Sequence, residues 1–139
     1  MSGKTTRKAR SLLVAESEAM KEVIEKIETL ANSHRPVLIV GEPGAGRELI
    51  ARVLHASSKN KKGPFVSVNG GSLQGIFSGD TECTALTNLR TAENGTLLIK
   101  NLTEMSRSVQ RKLLRLLRPA DSKGSTKNKG VSSIRFVCS

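Results

Sequence analysis

The sequence predicts an α/β fold in which helices pack on both faces of a parallel sheet. Two observations predict it. Short, uninterrupted apolar runs, typical of strands buried on both faces, alternate along the chain with segments of helical periodicity. One of these runs leads through a glycine-rich segment directly into a helix, as strands do in parallel sheets. With 139 residues, the chain has the length of one domain.

The first half of the chain contains two predicted helices and two predicted strands. From Ser17, a plausible N-cap, apolar residues recur at three- and four-residue spacing as far as residue 31. The apolar run at 37–40 is the first predicted strand. A second amphipathic helix follows, with its apolar residues at 49–54, and the run at 65–68 is the second strand.

The second half repeats this alternation after a long polar segment. Residues 69–84 are rich in Gly, Ser and Thr, which favours a loop with one helical turn at 73–77. The remaining predicted elements, in order, are a short helix at 85–93, a strand at 96–100, a helix capped by Ser106, a polar segment at 121–133 and a strand at 134–138.

Composition narrows the function classes. The net charge of +11 is concentrated at the ends, with +4 in residues 1–10 and +8 in residues 100–139, which is compatible with a polyanionic partner. No apolar run has the length of a membrane span, and no signal-peptide pattern opens the chain. Cys83 and Cys138 lie far apart and lack metal-ligand spacing. This usage is typical of the reducing cytoplasm, where we expect the protein to be.

A glycine-rich loop carries the clearest chemistry. Glycines let a backbone wrap closely around phosphate oxygens, and the N-terminus of the following helix presents unpaired N–H groups. The spacing of Gly41 and Gly46 is that of a phosphate-binding loop, although Arg47 and Glu48 stand where Lys and Ser or Thr are usual. Two interpretations stay open: nucleotide binding, or a turn that the fold alone requires. The candidate binding residues are Gly41, Glu42, Pro43, Gly44, Ala45, Gly46, Arg47 and Glu48.

Residues around this loop indicate a family. The segment 38–52 resembles the Walker A region of sigma-54-dependent transcriptional activators, which are AAA+ ATPases with the loop sequence GESGTGKE. In that family a Glu also follows the basic residue of the loop. Segment 63–69 is similar to the family's GPFVAVNC strand, 92–99 to AEGGTLFL, and 109–117 to LQAKLLRVLQ.

The resemblance implies a three-layer P-loop NTPase core of the AAA+ type at residues 12–139, without the helical lid. Residues 1–11 precede it as a flexible basic leader. The strand carrying the phosphate loop is expected centrally, beside the strand that corresponds to Walker B. The family's sensor Asn would follow Ser139, and its arginine fingers are also missing from this sequence.

Three positions depart from the family pattern. The family's Walker B strand ends in Asp-Glu, which hold magnesium and act on the attacking water, and these positions correspond to Lys100 and Asn101. Lysine repels Mg²⁺, and asparagine has no basic oxygen to accept a proton. Arg47 replaces the loop lysine. We therefore assign no catalytic residue and no metal ligand. Lys100 is expected to stand in the magnesium position and to contact a phosphate or Glu42.

The partner segment also departs from the family. Activators contact the sigma factor through a GAFTGA loop, and the corresponding residues 75–85 lack that motif. Direct contact with sigma-54 is therefore not expected. Protein partners, through AAA+-type self-association or another transcription regulator, are favoured over DNA and a membrane. The basic residues of 107–118 are interpreted as a solvated helix face, with a nucleic-acid patch as the alternative.

The leading hypothesis is a degenerate AAA+ domain that acts in transcription regulation. It would bind ATP or ADP weakly or not at all, Mg²⁺ is not expected as a cofactor, and hydrolysis would be impaired because transfer depends on positioned charge. Enzymatic activity is left open, with its absence favoured. Two alternatives remain: an active ATPase with non-standard Walker motifs, and a nucleic-acid- or protein-binding module that uses the basic ends.

Overall fold

The computed structural model describes residues 17–77, 89–117 and 133–139. Cys83 and three segments named in the sequence analysis lie wholly or mostly outside these residues: the basic leader at 1–11, the segment at 75–85 and the polar segment at 121–133. Three α-helices and four strands are described, namely α1 (Glu18–Ala31), β1 (Val37–Leu38), α2 (Arg47–Ser57), β2 (Phe65–Asn69), β3 (Thr96–Lys100), α3 (Arg107–Leu117) and β4 (Arg135–Cys138).

Local signals account for where these elements begin. The Ser17 hydroxyl accepts a hydrogen bond from the Met20 amide, so the predicted N-cap of α1 is confirmed. Ser106 accepts from the Val109 amide at the start of α3 in the same way. Strand β1 is shorter than the predicted run at 37–40, because the chain turns into the glycine-rich loop. A 3₁₀ helix at Gly70–Phe77 replaces the single turn predicted at 73–77, and residues 89–91 end the predicted short helix.

The four strands form one parallel sheet in the order β1-β4-β3-β2, which confirms the predicted fold class. The expectation that β1 lies centrally, beside β3, is wrong for this sheet, because β4 separates them. The burial of each strand agrees with its place in the sheet. All four residues of β4 are buried, as suits a strand with neighbours on both edges, whereas Leu38 of β1 is exposed.

Two apolar layers cover the sheet. In β3 successive side chains point to opposite faces, so that Leu98 packs with α1 and α2 while Leu97 and Ile99 pack on the α3 side. Cys138 lies in the layer on the α3 side. Burial raises the pKa of its thiol to about 11, which keeps the thiol protonated at neutral pH. The fold is therefore the three-layer arrangement expected from the sequence.

Two glycines allow the turn before β2 and the turn before β3 to approach each other closely. A Cβ on Gly63 would lie 2.0 Å from the Asn94 carbonyl oxygen, and one on Gly95 would lie 2.0 Å from the Pro64 carbonyl oxygen. The Asn60 side-chain amide donates to the carbonyl of Gly95 there. This contact fixes the turn before β2 against the turn before β3. None of the described helices is long and apolar enough to cross a membrane.

Candidate functional site

The glycine-rich loop forms an exposed connection between β1 and α2. Gly44 and Gly46 both have left-handed backbones, with φ of +83° and +81°, a conformation that glycine adopts without steric cost. Gly46 is the N-cap of α2 and makes no side-chain capping bond. The first amides of α2 therefore face the loop without a side-chain cap, which is the backbone geometry that binds phosphate oxygens.

Arg47 is the first residue of α2, and its side chain folds back over the start of the loop. Its Cγ and Cδ lie 3.6 and 3.7 Å from the position that a Cβ on Gly41 would take. The Arg47 stem therefore lies at ordinary contact distance from Gly41. Because arginine stays protonated at neutral pH, α2 begins with a permanently charged residue directly after the glycine-rich loop.

Three strand ends meet beside this loop. The Ile39 amide, directly after β1, donates to the Cys138 carbonyl, and the Ser139 amide donates to the Ile99 carbonyl. Since the strands are parallel, their carboxyl ends share one edge of the sheet, where ligands of open α/β sheets usually bind. Lys100, the last residue of β3, therefore lies at the same edge as the loop, about 10 Å away across the intervening β4.

A cluster of three charges bridges that distance. Lys100 Nζ donates to Glu48 Oε2 at 3.3 Å, and Arg52 Nη2 donates to Glu48 Oε1 at 2.9 Å. Glu48 is the second residue of α2, so the cluster joins the end of β3 to the first two turns of that helix. The expected contact of Lys100 with Glu42 is wrong, because the carboxylate partner of Lys100 in the structure is Glu48.

The two cations act together on Glu48. The hydrogen bond from Arg52, followed by that from Lys100, holds the pKa of the Glu48 carboxyl below its usual value, against a smaller opposing effect of burial. The carboxylate therefore stays ionised at neutral pH. About 40% of the side-chain surface of both Lys100 and Glu48 is exposed, so the pair is open to a solvent-borne ligand.

Asn101 has a conformational role that the sequence interpretation missed. Its backbone is left-handed, with φ of 54° and ψ of 56°, a region in which asparagine is favoured among residues other than glycine. It turns the chain out of β3, and its carbonyl oxygen would lie 2.6 Å from a Cβ on Gly70. The sequence pattern did not indicate this role, because a positive φ cannot be read from it.

The comparisons with known proteins identify the family to which these elements belong. The model of the sigma-54 interaction domain matches residues 13–139 of this chain. The chain belongs to the sigma-54 interaction domain family. This membership confirms the resemblance read from the loop and from the strands that follow it.

The relatives of this sigma-54 interaction domain are longer proteins. A Nif-specific regulatory protein from Rhizobium leguminosarum bv. trifolii is 35% identical, and the match covers 97% of this chain and 42% of that protein. Among solved structures, NtrX from Brucella abortus in complex with ATP superposes with a TM-score of 0.68 and 29% identity over 97% of this chain and 34% of its own. The chain thus spans less than half the length of either relative.

A third likeness concerns the fold alone. The P-loop NTPase domain of a sigma-54 transport activator from E. coli superposes with a TM-score of 0.63 and 21% identity, over 90% of this chain and 76% of that chain. The likeness confirms the P-loop NTPase architecture in which the glycine-rich loop and the end of β3 lie on one edge of the sheet.

Magnesium does not fit the described site of this sigma-54 interaction domain. Its oxygen donors would have to come from α2 and from the end of β3. Both carboxylate oxygens of Glu48 already accept from cations, and β3 ends in an ammonium. Within the described residues, no group of three or more His, Cys, Asp or Glu side chains is placed to hold a metal ion. The loop geometry, by contrast, fits a polyphosphate.

Helix α2 is held against the sheet by contacts of His55, a residue for which a packing role is expected but whose partners the sequence does not indicate. His55 Nδ1 lies 2.8 Å from Thr96 Oγ1 at the start of β3, and the imidazole packs edge-on against Phe65 with the ring centroids 5.5 Å apart. Arg52 lies over the same Phe65 ring, 4.7 Å from its centroid. The helix that carries Glu48 and Arg52 is thereby anchored to β2 and β3.

Proposed function

We propose that this domain is a transcription-regulatory module of the sigma-54 activator type that binds ATP or ADP at residues 41–48 and hydrolyses it poorly. It would act through association with other proteins, either further copies of AAA+ domains or another transcription regulator. The observation that carries the proposal is the Lys100–Glu48 ion pair, which joins the end of β3 to the helix that follows the glycine-rich loop.

Nucleotide binding is supported by the loop and by the relatives. The left-handed glycines and the uncapped start of α2 present backbone N–H groups, and the Arg47 stem lies over Gly41. Solved structures of NtrX contain ADP in one case and ATP in another. Both ligands share the diphosphate that such a loop would hold.

Impaired hydrolysis is supported by the end of β3. Phosphoryl transfer depends on metal ions and positioned groups that neutralise developing charge and orient the attacking water. Lys100 supplies a cation in place of a metal ligand, and Asn101 supplies a neutral amide that cannot take a proton from water. In this domain, a regulatory role like that of the relatives would then depend on protein association that responds to bound nucleotide, without rapid turnover.

Calorimetric titration of the full chain with ATP and with ADP tests nucleotide binding, and a phosphate-release assay on the same samples tests turnover. We expect binding without turnover above the protein-free rate. Arg47→Ala should weaken binding by roughly tenfold, because a charge-assisted contact to phosphate is lost. Arg35→Ala, which removes an exposed arginine of the turn before β1, serves as the charge-matched control. Turnover that disappears in Arg47→Ala would instead establish an active ATPase with non-standard Walker motifs.

A second candidate function is favoured by α3. The helix contains four basic and no acidic residues, and all four basic residues are exposed: Arg107, Arg111, Lys112 and Arg115. The half-exposed Leu114 lies among them. Such a face suits a polyanion, and binding of double-stranded DNA would then weaken steeply with salt. A shallow dependence of the logarithm of affinity on the logarithm of salt concentration would contradict this candidate.

A further inference from the structure

We propose that Lys100 takes the place of the magnesium ion in this site, so that the domain binds nucleoside polyphosphates as the metal-free species. The inference rests on the proposed nucleotide binding and adds the form in which the ligand is bound. It follows from three properties of the charged cluster: the position of Lys100, its free hydrogen-bonding capacity and the number of cations around the loop.

The position of Lys100 is set by its two neighbours. It ends β3 in register with Asn69 of β2, and its ammonium reaches α2 at Glu48, one residue after Arg47. A divalent ion bound between the end of this strand and the start of this helix would meet the ammonium and the carboxylate in the same space. Since like charges repel strongly at such distances, the ammonium excludes the ion.

The ammonium retains the capacity to bind phosphate. An ammonium group has three N–H donors, and Glu48 accepts one of them. About 40% of the Lys100 side chain is exposed, so a ligand from solvent can reach it. A phosphate oxygen can therefore join Glu48 as an acceptor without any rearrangement of β3.

The charge balance favours an anion that carries no metal. Arg47, Arg52 and Lys100 contribute three positive charges, and Glu48 contributes one negative charge. Glu42 adds a second carboxylate, which is exposed on the loop. A metal-free triphosphate offers more negative charge to this cluster than its magnesium complex does. Binding of magnesium to the nucleotide in solution should therefore compete with binding to the protein.

Titration of the full chain with ATP in EDTA and in excess MgCl2 tests the inference. We expect the apparent affinity to be weaker in excess magnesium than in EDTA, because magnesium removes the metal-free nucleotide. Lys100→Met, which keeps the stem and removes the charge, should weaken ATP binding in EDTA about tenfold. Lys26→Met removes an exposed lysine of α1 and should change affinity by less than about twofold. Far-UV circular dichroism checks that both variants are folded.

A second variant makes the test independent of a loss of binding. Lys100→Asp restores an oxygen ligand at the end of β3, so its ATP affinity should become magnesium-dependent, by about tenfold or more between EDTA and MgCl2. Wild-type binding that magnesium strengthens tenfold, or Lys100→Met binding like wild type in EDTA, would overturn the inference and leave nucleotide binding intact. Absence of ATP binding under every condition would overturn the proposed nucleotide binding, and the inference with it.

Discussion

Glu48 accepts hydrogen bonds from Lys100 and Arg52 through its two different carboxylate oxygens, at 3.3 and 2.9 Å. The carboxylate thus holds together the end of β3 and the first two turns of α2. It also neutralises part of the positive charge beside the loop. The same residue therefore stabilises the empty site and reduces the net positive charge that a bound phosphate would meet.

Glu48→Gln should tighten ATP binding in EDTA by about three- to tenfold, because the cluster loses a negative charge that opposes the phosphates. Removal of an acidic side chain from the start of α2 should meanwhile lower stability by about 0.5 kcal/mol. Calorimetry and urea denaturation measure the two effects. Glu22→Gln changes the same charge on the exposed side of α1 and should leave the affinity within about twofold. Weaker binding by Glu48→Gln would show that the carboxylate supports the ligand.

Alanine at different glycines should separate backbone strain from steric exclusion. Gly44→Ala meets no atom within 4 Å of the new Cβ, but φ is +83°, so we expect a loss of about 1–2 kcal/mol in unfolding free energy. Gly95→Ala places the Cβ 2.0 Å from the Pro64 carbonyl oxygen and should cost about 3 kcal/mol or more. Urea denaturation measures both, and equal losses would contradict the close approach at Gly95.

Local patterns predicted much of the fold. Ser17 and the periodic residues after it specify α1, and the continuous run at Thr96–Lys100 specifies a strand buried on both faces, as found. The family's motifs located the loop. The position of β1 in the sheet was predicted wrongly, because the placement of β4 between β1 and β3 depends on pairing between residues far apart in the chain, such as Val37 and Val137. The wrong assignment of Glu42 as the partner of Lys100 has the same cause.

Arg135 illustrates a contact that no local pattern indicates. This buried arginine of β4 donates to the carbonyls of Leu30 and Ala31 at the end of α1, and burial lowers the pKa of its guanidinium. A strand pattern predicts an apolar residue at such a position. The arginine is accommodated because the helix C-terminus attracts a cation and supplies oxygen acceptors.

Arg135→Met should therefore lower the unfolding free energy by about 1–3 kcal/mol, since the lost charge-assisted hydrogen bonds outweigh the relief of burying the charge. Urea denaturation at neutral pH measures the change. Arg111→Met on the exposed face of α3 makes the same substitution and should stay within about 0.5 kcal/mol of wild type. A stabilised Arg135→Met variant would mean that the burial of the charge dominates.

The last prediction concerns pH. Burial lowers the pKa of His55 below its usual 6.5, against a smaller raising effect of a hydrogen bond with the Gly63 backbone. The unfolded chain therefore takes up a proton first, and stability falls as pH drops below about 6.5, by at most about 1.4 kcal/mol per unit. Urea denaturation between about pH 7 and pH 5.5 should show this slope in wild type and in the exposed-site control His34→Gln, and a flatter one in His55→Gln. Equal slopes in all three proteins would assign the pH dependence to other groups.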